Sequence, residues 1–460
     1  MAASDLNSFA AEYASDIVST FDIDKPEVLN TLFRSKGDQG VGFFRTIDSL
    51  GFKSPVSQDE YSHHEEDWIH ETIHANAATS AAAANAPQNI VLQASTDIRL
   101  NKYYPRLWDI VMFPNGVTAS VTSISGTVPT ITVQLTPNQL GDNIPAIAAG
   151  QELIIMSAAF SEGSDQPESA FAGTYKYTNN VQIIKERMSV TGTEMTNRKW
   201  FDKDSSGRAI NAYYVKGQLD ADYRMNLKID GALLFGRKTT NTNAALVDSA
   251  TQRTIKSTEG LFPYVESNGN IVNYTAGSYS VAKFNETAKL LDKEFASRNI
   301  ACFNGIDLNV DIEDALVSYF ATTDINYTKS AYSQMFGGDE GLAASVGFKC
   351  LTKAGRTFAF KQLGILSHAK LYGAAGYDYS KQGIWCPVGK KKDTKTQNDV
   401  PTFGCRYKAM GNYSRMMESW QINGAGNGLK VISKDVNHYD LRTQIGGHFA
   451  AGNQMVIVKP

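Results

Sequence analysis

Cysteine is scarce. The 460 residues hold four, Cys302, Cys350, Cys386 and Cys405, too few and too far apart for a disulfide framework. No Cys-x-x-Cys pair occurs, which excludes a zinc ribbon and a dithiol redox motif and leaves reduced thiols in a cytosolic product as the expectation. No run approaches the roughly 18 uncharged apolar residues of a membrane span, and the first residues lack the basic-then-apolar pattern of a secretory signal. No membrane contact is expected. A basic excess is missing too: 44 Lys and Arg against 47 Asp and Glu give a net charge of -3. A dedicated nucleic-acid binder needs clustered cations for phosphate contacts and is excluded on that ground. The one tight basic run, Lys390-Lys391-Lys392, is followed by Asp393 and reads as a solvated loop. Gly424-Ala425-Gly426-Asn427-Gly428 lacks both G-x-G-x-x-G spacing and a following Lys-Ser/Thr, so a turn between strands is expected there. No Gly-x-Ser-x-Gly elbow occurs. His368, His438 and His448 are isolated and read as surface or satisfied core histidines. No cofactor is expected.

What is present is ordinary globular material, 42% hydrophobic and 20% charged, with enough apolar residues for more than one core. Residues 1–90 read as an arm. Leu6, Phe9, Tyr13 and Ile17 recur at helical spacing before a break at Pro26, and the alanine-rich run 77–87 offers nothing large to pack. From about 90 the pattern turns to β. Asn115-Gly116 signals a hairpin, Ser125-Gly126 a second turn, and Ile131, Val133 and Leu135 alternate with polar residues. An extended segment is expected over 180–193. The clearest helix spans 209–236. Ser206 is placed to cap it, Ile210, Tyr214, Ala221, Met225 and Ile229 line one face, and Gly236 is placed to stop it. Farther on, Ala282–Phe295 and Ile312–Phe320 are expected as helices. The alternations Ile306, Leu308, Val310 and Phe358, Phe360 suggest strands.

One stretch has enzymatic spelling: His70-Glu71-Thr72-Ile73-His74 matches HExxH. On a helix the two histidines would share a face and could hold zinc, with Glu71 activating a bound water. A zinc metalloprotease also needs a third ligand and a cleft. The next carboxylates after Glu71 are Asp97 and Asp109, beyond the alanine-rich run. The preferred reading is a polar, solvated or interface helix anchored by Tyr61, Trp68, Ile69 and Ile73. His70 and His74 remain candidate ligands for a metal at a subunit contact.

Glu162-Gly163-Ser164-Asp165-Gln166-Pro167 precedes a longer run, residues 177–194, that contains Asn180, Gln182, Ile183, Val190, Gly192 and Thr193. Together they resemble the "EGSD … N-x-x-Q-I … V-[ST]-G-T" signature of tailed-phage coat proteins with the Hong Kong 97-like fold. Over residues 90–460 the chain looks most similar to major capsid proteins of crAss-like phages. The resemblance implies an α+β fold with an N-terminal arm (1–90) and an extended loop (91–208) carrying an inserted β-rich subdomain near 107–160. It further implies a peripheral domain (209–274) on the spine helix, an axial domain (275–400), and a C-terminal segment (401–460) that completes the core. The function implied is self-assembly into hexamers and pentamers of an icosahedral shell around double-stranded DNA, without enzymatic activity. Implied partners are other copies, portal and auxiliary or decoration proteins, and non-specific contact with packaged DNA. The location implied is the virion, after assembly in the host cytoplasm. Phe9, Tyr13, Ile17 and Trp68 are the expected assembly contacts. An encapsulin-type compartment or another phage structural protein is the alternative.

Overall fold

A computed structural model describes residues 42–66, 72–94, 98–99, 102–103, 105–167, 174–196, 212–240, 246–321, 349–353, 355–368, 370–374, 376–392, 399–426 and 429–460. The chain divides into two compact units: Met1–Tyr61 with Thr178–Pro460, and Ser62–Tyr177 inserted between them. The expected boundary at residue 90 therefore does not match a structural one. Helix α1 (Phe43–Ser49) buries Phe43, Phe44, Thr46 and Ile47. Strand β1 (Lys53–Val56) pairs in parallel with a strand at residues 403–410. Both belong to the first unit.

The inserted unit is built on one six-stranded sheet. After β2 (Glu60–Glu66), which opens at the junction, come β3 (Thr72–His74), β4 (Gln88–Val91), β5 (Asp109–Met112), β6 (Thr118–Thr127), β7 (Thr130–Pro137) and β8 (Glu152–Ala158). Their order across the sheet is β3-β8-β5-β6-β7-β4. Ile73, Ile90, Val111, Val121, Val133, Leu135 and Leu153 form its dry face. The alternation at 131, 133 and 135 buries all three side chains, since successive side chains of a strand point to opposite faces. The turn at Asn115-Gly116 lies where expected, with Gly116 at φ +86. The second turn does not. Ser125 and Gly126 pair with Thr132 and Ile131 inside β6, and the chain reverses at Val128-Pro129, a cis peptide. Gly126, at φ +102, lies so close to the Thr130 carbonyl that a Cβ would strike it; glycine there serves strand contact rather than a turn.

The expected helix around the HExxH stretch is corrected. Glu60–Glu66 and Thr72–His74 are strands, with His74 opposite Glu152. A strand rises about 3.3 Å per residue and alternates faces. The one-turn geometry that sets two histidines side by side is not available on it. His70, Glu71, Trp68 and Ile69 lie outside the described residues.

The chain returns to the first unit through β9 (Thr174–Asn180) and β10 (Gln182–Thr191). Helix α2 (Ala212–Phe235) would be about 36 Å long at 1.5 Å per residue. Ala221, Met225, Ile229 and Leu233, one turn apart, are all fully buried. Ser206 and Ile210 lie outside the described residues, and of Tyr214 only the helical backbone is described. The helix stops at Phe235, and Gly236 closes the last turn with its N–H on the Ala232 carbonyl at 3.1 Å.

Then follow α3 (Leu261–Asn268), β11 (Asn270–Asn273), α4 (Val281–Lys293), β12 (Asn299–Asn304), α5 (Ile306–Ala321), β13 (Lys349–Lys353), β14 (Arg356–Gln362) and β15 (Gly383–Pro387). The last long strands are β16 (Phe403–Met410), β17 (Glu418–Ile422), β18 (Val436–Phe449) and β19 (Val456–Lys459). Two sheets result. One has the order β1-β16-β18-β10, with β17 added along β18. The other runs β11-β19-β15-β12-β14-β13. Ile306, Leu308 and Val310 begin helix α5 rather than a strand. Leu308, Ile312 and Leu316 supply its buried stripe, at the helical spacing of four. Helix α4 starts at Ser280, whose hydroxyl accepts the Lys283 N–H, but it ends at Lys293. Phe295 lies outside the helix at φ +45 and 76% exposed, not on its buried face. Phe284, Phe358 and Trp385 pack together over the second sheet, and the Trp385 indole N–H donates to Asn304 Oδ1 at 3.0 Å. The lysine run 390–392 is a strand paired with Asp399–Pro401 rather than a free loop.

Candidate assembly surfaces

Two features are built into the first unit around the residues that carry the sequence signature. The first is Asn179, at the end of β9. Its Oδ1 accepts the backbone N–H of Asn180 at 2.8 Å and of Glu259 at 2.8 Å. Its Nδ2 donates to the Gly447 carbonyl at 2.8 Å and the Glu259 carbonyl at 3.1 Å. One buried amide thus ties the β9–β10 junction to the loop before α3 and to β18. Gln182, two residues on from Asn180, accepts the Thr258 N–H. A carboxylate at 179 keeps the acceptor but turns the donor into a second acceptor facing two carbonyls. Asn179→Asp is therefore expected to lower the unfolding free energy by about 2–3 kcal/mol, read as a shifted urea midpoint with an unchanged slope.

The second feature is the seat of helix α2. Its exposed side meets β10 through Glu186, which pairs with Arg224 at 2.7 Å and with Lys228. Burial raises the Glu186 carboxyl, but the hydrogen bonds from Lys228 and Arg224 outweigh it and hold it below the usual range. Both cations are half exposed, so the pairs orient the helix more than they stabilise it. On its buried side the helix carries Asp230, fully buried, which receives the N–H of Phe44 at 2.7 Å, Gly42 at 3.0 Å and Phe43 at 3.4 Å. It caps helix α1 from 186 or more residues away. No local pattern could have announced this, because mid-helix charges usually face water.

In the inserted unit the outward face of the sheet carries Thr118, Ser120, Thr122, Thr132 and Gln134, but a small apolar patch interrupts it at β8 and β5. Ile154 and Met112 are direct partners in the β8–β5 ladder and lie opposite the buried Leu153 and Val111. Met156, at the irregularity in β8, is 53% exposed, and Ile154 is 40% exposed. Trp108 precedes β5 at φ +73, a costly conformation for a bulky residue, and holds its ring half in solvent. Sequence alternation alone could have flagged Ile154 and Met156, since neither shares the inward parity of Leu153 and Ile155.

The sequence motif Glu162–Pro167 forms a turn. Ser164 donates backbone and side chain to the Ser161 carbonyl, and Gly163 has φ +76. His438 shares a hydrogen bond with Ser189, His448 is buried in β18, and His74 sits in β3. Among the described residues no cluster of His, Cys, Asp and Glu could hold a metal. Burial pushes the Cys405 thiol up to about 12 and the Cys386 thiol higher still, so both are inert thiols. Gly424 and Ala425 donate their N–H groups to Asn437 Oδ1, which anchors the turn before β18 and leaves them unavailable for a phosphate. The expected contacts Phe9, Tyr13, Ile17 and Trp68 lie outside the described residues.

The family model of the SU10 major capsid protein matches residues 43–310, from α1 into α5. The chain belongs to that family. It is a phage major capsid protein, a structural protein of the virion. Similar solved structures are those from Mycobacterium phage Ogopogo (9% identity, 96% of this chain and 98% of the other, TM-score 0.43) and Mycobacterium phage Cain (11% identity, 98% and 99%, TM-score 0.40). A third is titled capsid of native GTA particle computed with C5 symmetry (7% identity, 98% and 99%, TM-score 0.40). No curated protein matches the chain. No helix among the described residues of the capsid protein is long and apolar enough to cross a membrane.

Proposed function

We propose that this capsid protein assembles into hexamers and pentamers that tile an icosahedral shell around double-stranded DNA. The proposed fold is the Hong Kong 97-like coat fold, in the variant found in crAss-like phages, with α2 as its spine. The observation that carries the reading is the family match over 43–310. The small exposed apolar patch at Ile154 and Met156 supports it, because clustered exposed apolar side chains are characteristic of interaction surfaces. Shell building calls for many modest contacts whose sum is stable while each alone remains reversible. The near-neutral net charge suits a container that must not trap DNA as it fills. Portal and decoration proteins would complete the particle, which would assemble in the host cytoplasm. The role is structural rather than catalytic.

Negative-stain microscopy of the expressed full-length chain is expected to show closed shells or their capsomers. A protein that stays monomeric at every concentration would overturn the reading. Placing a charge on the apolar patch tests the surface itself. Met156→Asp is expected to leave the circular dichroism spectrum and the unfolding midpoint nearly unchanged, since the side chain is already half in water. It should cut shell yield at least tenfold, the effect of about 1.4 kcal/mol at a single contact.

A further inference from the structure

An asparagine followed by glycine readily loses its side-chain amide, because glycine has no Cβ to keep its own nitrogen from the neighbouring carboxamide. The chain holds five such steps, Asn115-Gly116, Asn268-Gly269, Asn304-Gly305, Asn423-Gly424 and Asn427-Gly428. The last lies outside the described residues. The fold treats the other four differently.

Three are closed. Asn304 and Gly305 are buried, and the Asn304 carboxamide is held at both ends. Its Oδ1 accepts the Trp385 indole N–H at 3.0 Å, its Nδ2 donates to Asn309 Oδ1 at 2.9 Å, and Gly305 packs against the Ser380 backbone. Asn268 Nδ2 donates to the Tyr264 carbonyl at 3.0 Å, and the Gly269 N–H donates to the Val265 carbonyl at 2.7 Å. A Cβ on Gly269 would strike Val265 and Gly452. Gly424 is buried, and its N–H is shared between the Val436 carbonyl at 3.1 Å and Asn437 Oδ1 at 3.0 Å. In each pair the carboxamide or the glycine nitrogen must leave a hydrogen bond in packed surroundings before the two can join.

Asn115 is open. It and Gly116 are both exposed in the turn between β5 and β6, and nothing lies within 4 Å of where a Cβ on Gly116 would stand. The Gly116 N–H donates to the Phe113 carbonyl at 2.9 Å, but in an exposed turn water can take the place of that bond. The carboxamide oxygen sets the site apart. Asn115 Oδ1 accepts the Val117 N–H at 3.1 Å. Negative charge develops on that oxygen when a nucleophile adds to Cγ, and a donor already aimed at it stabilises the charge.

We infer that Asn115 is a site of self-modification, at which the Gly116 nitrogen displaces the side-chain amide. Gly116 N gives its proton to water and bonds to Asn115 Cγ, while the Val117 N–H holds the oxygen. The Cγ–Nδ2 bond breaks, Nδ2 takes a proton from water and leaves as ammonia, and a five-membered succinimide remains. Water then adds to either of its carbonyls. One opening gives aspartate, and the other gives isoaspartate, with the main chain routed through Cβ. Isoaspartate adds one carbon atom to a turn in which Gly116 donates to Phe113 and Phe113 to Val117, the two bonds that set the pairing of β5 with β6. Either product places a carboxylate three residues from Met112, beside the apolar patch.

The test incubates the full-length protein in warm neutral buffer for several weeks, beside free peptides spanning Asn115, Asn268, Asn304 and Asn423. Mass spectrometry of both reads conversion as a gain of one mass unit, and fragmentation separates isoaspartate from aspartate. Asn115 in the folded protein is expected to convert within about tenfold of the rate of its free peptide. It should also convert at least about tenfold faster than the other three, a ratio that corresponds to about 1.4 kcal/mol of barrier. Both isoaspartate and aspartate should appear, the signature of the cyclic intermediate. Asn115→Gln, whose ring would need one more atom, should keep its amide with an unchanged circular dichroism spectrum. An Asn115 that lasts as long as Asn304 would overturn the assignment, as would conversion in the free peptide alone. Aspartate without isoaspartate would mean direct hydrolysis and would overturn it too.

Discussion

Asp230→Ala is expected to cost the capsid protein about 3 kcal/mol of unfolding free energy. The carboxylate is the acceptor for the first N–H groups of helix α1, and removing it strands the buried donors of Phe43 and Phe44 and the half-buried one of Gly42. Loss of a helix cap costs about 1 kcal/mol, and each buried donor left without a partner adds about 1–3 kcal/mol. Asp230→Asn keeps one acceptor oxygen and should cost about half as much. The two variants also separate capping from charge. Burial pushes the Asp230 carboxyl up to about 6 from the ordinary 3.8, against the opposing hydrogen bonds from Phe44, Gly42 and Phe43. A raised folded value means that the native protein binds the proton more tightly than the unfolded chain. The proton-linked part of Asp230's stabilisation is therefore complete below about pH 4 and is lost as pH rises through about 6, while the capping hydrogen bonds remain. Urea unfolding of the wild type and Asp230→Asn at several values from pH 4 to 7 should show the difference between them shrinking as pH rises. A constant difference would mean that the carboxyl does not titrate in that window. Lys361, which burial pulls down and the Asp230 charge pushes back up, donates to Thr46 Oγ1 at 2.8 Å and holds α1 from its other side.

Removal of residues 1–41 is expected to abolish closed shells while leaving a folded subunit. The position of the cut matters. Deleting the whole of 1–90 would also remove α1, β1, β3 and β4, and with them Phe43, Ile73 and Ile90 from two cores. Such a chain should aggregate and would say nothing about assembly. A chain beginning at Gly42 retains every one of those contacts. Its unfolding midpoint should match the full-length chain, and sedimentation should show monomers or small oligomers where the full chain gives particles. Normal shells from the shorter chain would remove the arm from the assembly mechanism.

The alanine-rich run, read from the sequence as part of the arm, lies within the compact unit Ser62–Tyr177. Residues 77–87 have no large side chain to bury, and burial of side chains was the criterion. The structure holds them by main-chain groups instead. Thr79 and Ile147 exchange both hydrogen bonds, Ala82 donates to the Ile144 carbonyl, and Asn85, at φ +60, accepts the Gly141 N–H. Backbone pairing leaves no mark on hydrophobic periodicity. A similar blindness affected Ile306, Leu308 and Val310. Three apolar residues two apart fit a strand, and only the continuation through Ile312 and Leu316 at fourfold spacing reveals the helix. The turn assigned to Ser125-Gly126 shows the third kind of error, since a glycine required for close contact between strands carries the same letter as one required for a bend.

By itself the sequence determined the local periods: the alternation that buries Ile131, Val133 and Leu135, and the four-residue spacing that buries Ala221, Met225 and Ile229. It also carried the signature run around Asn180 and Gln182, because a side chain's face follows from strand and helix geometry alone. Tertiary structure alone decided that Asp230 caps a helix that starts at Phe43, and that Asn179 joins three segments up to 268 residues apart. Those outcomes depend on which distant backbone arrives opposite a given side chain, and no spacing within the chain encodes that arrival.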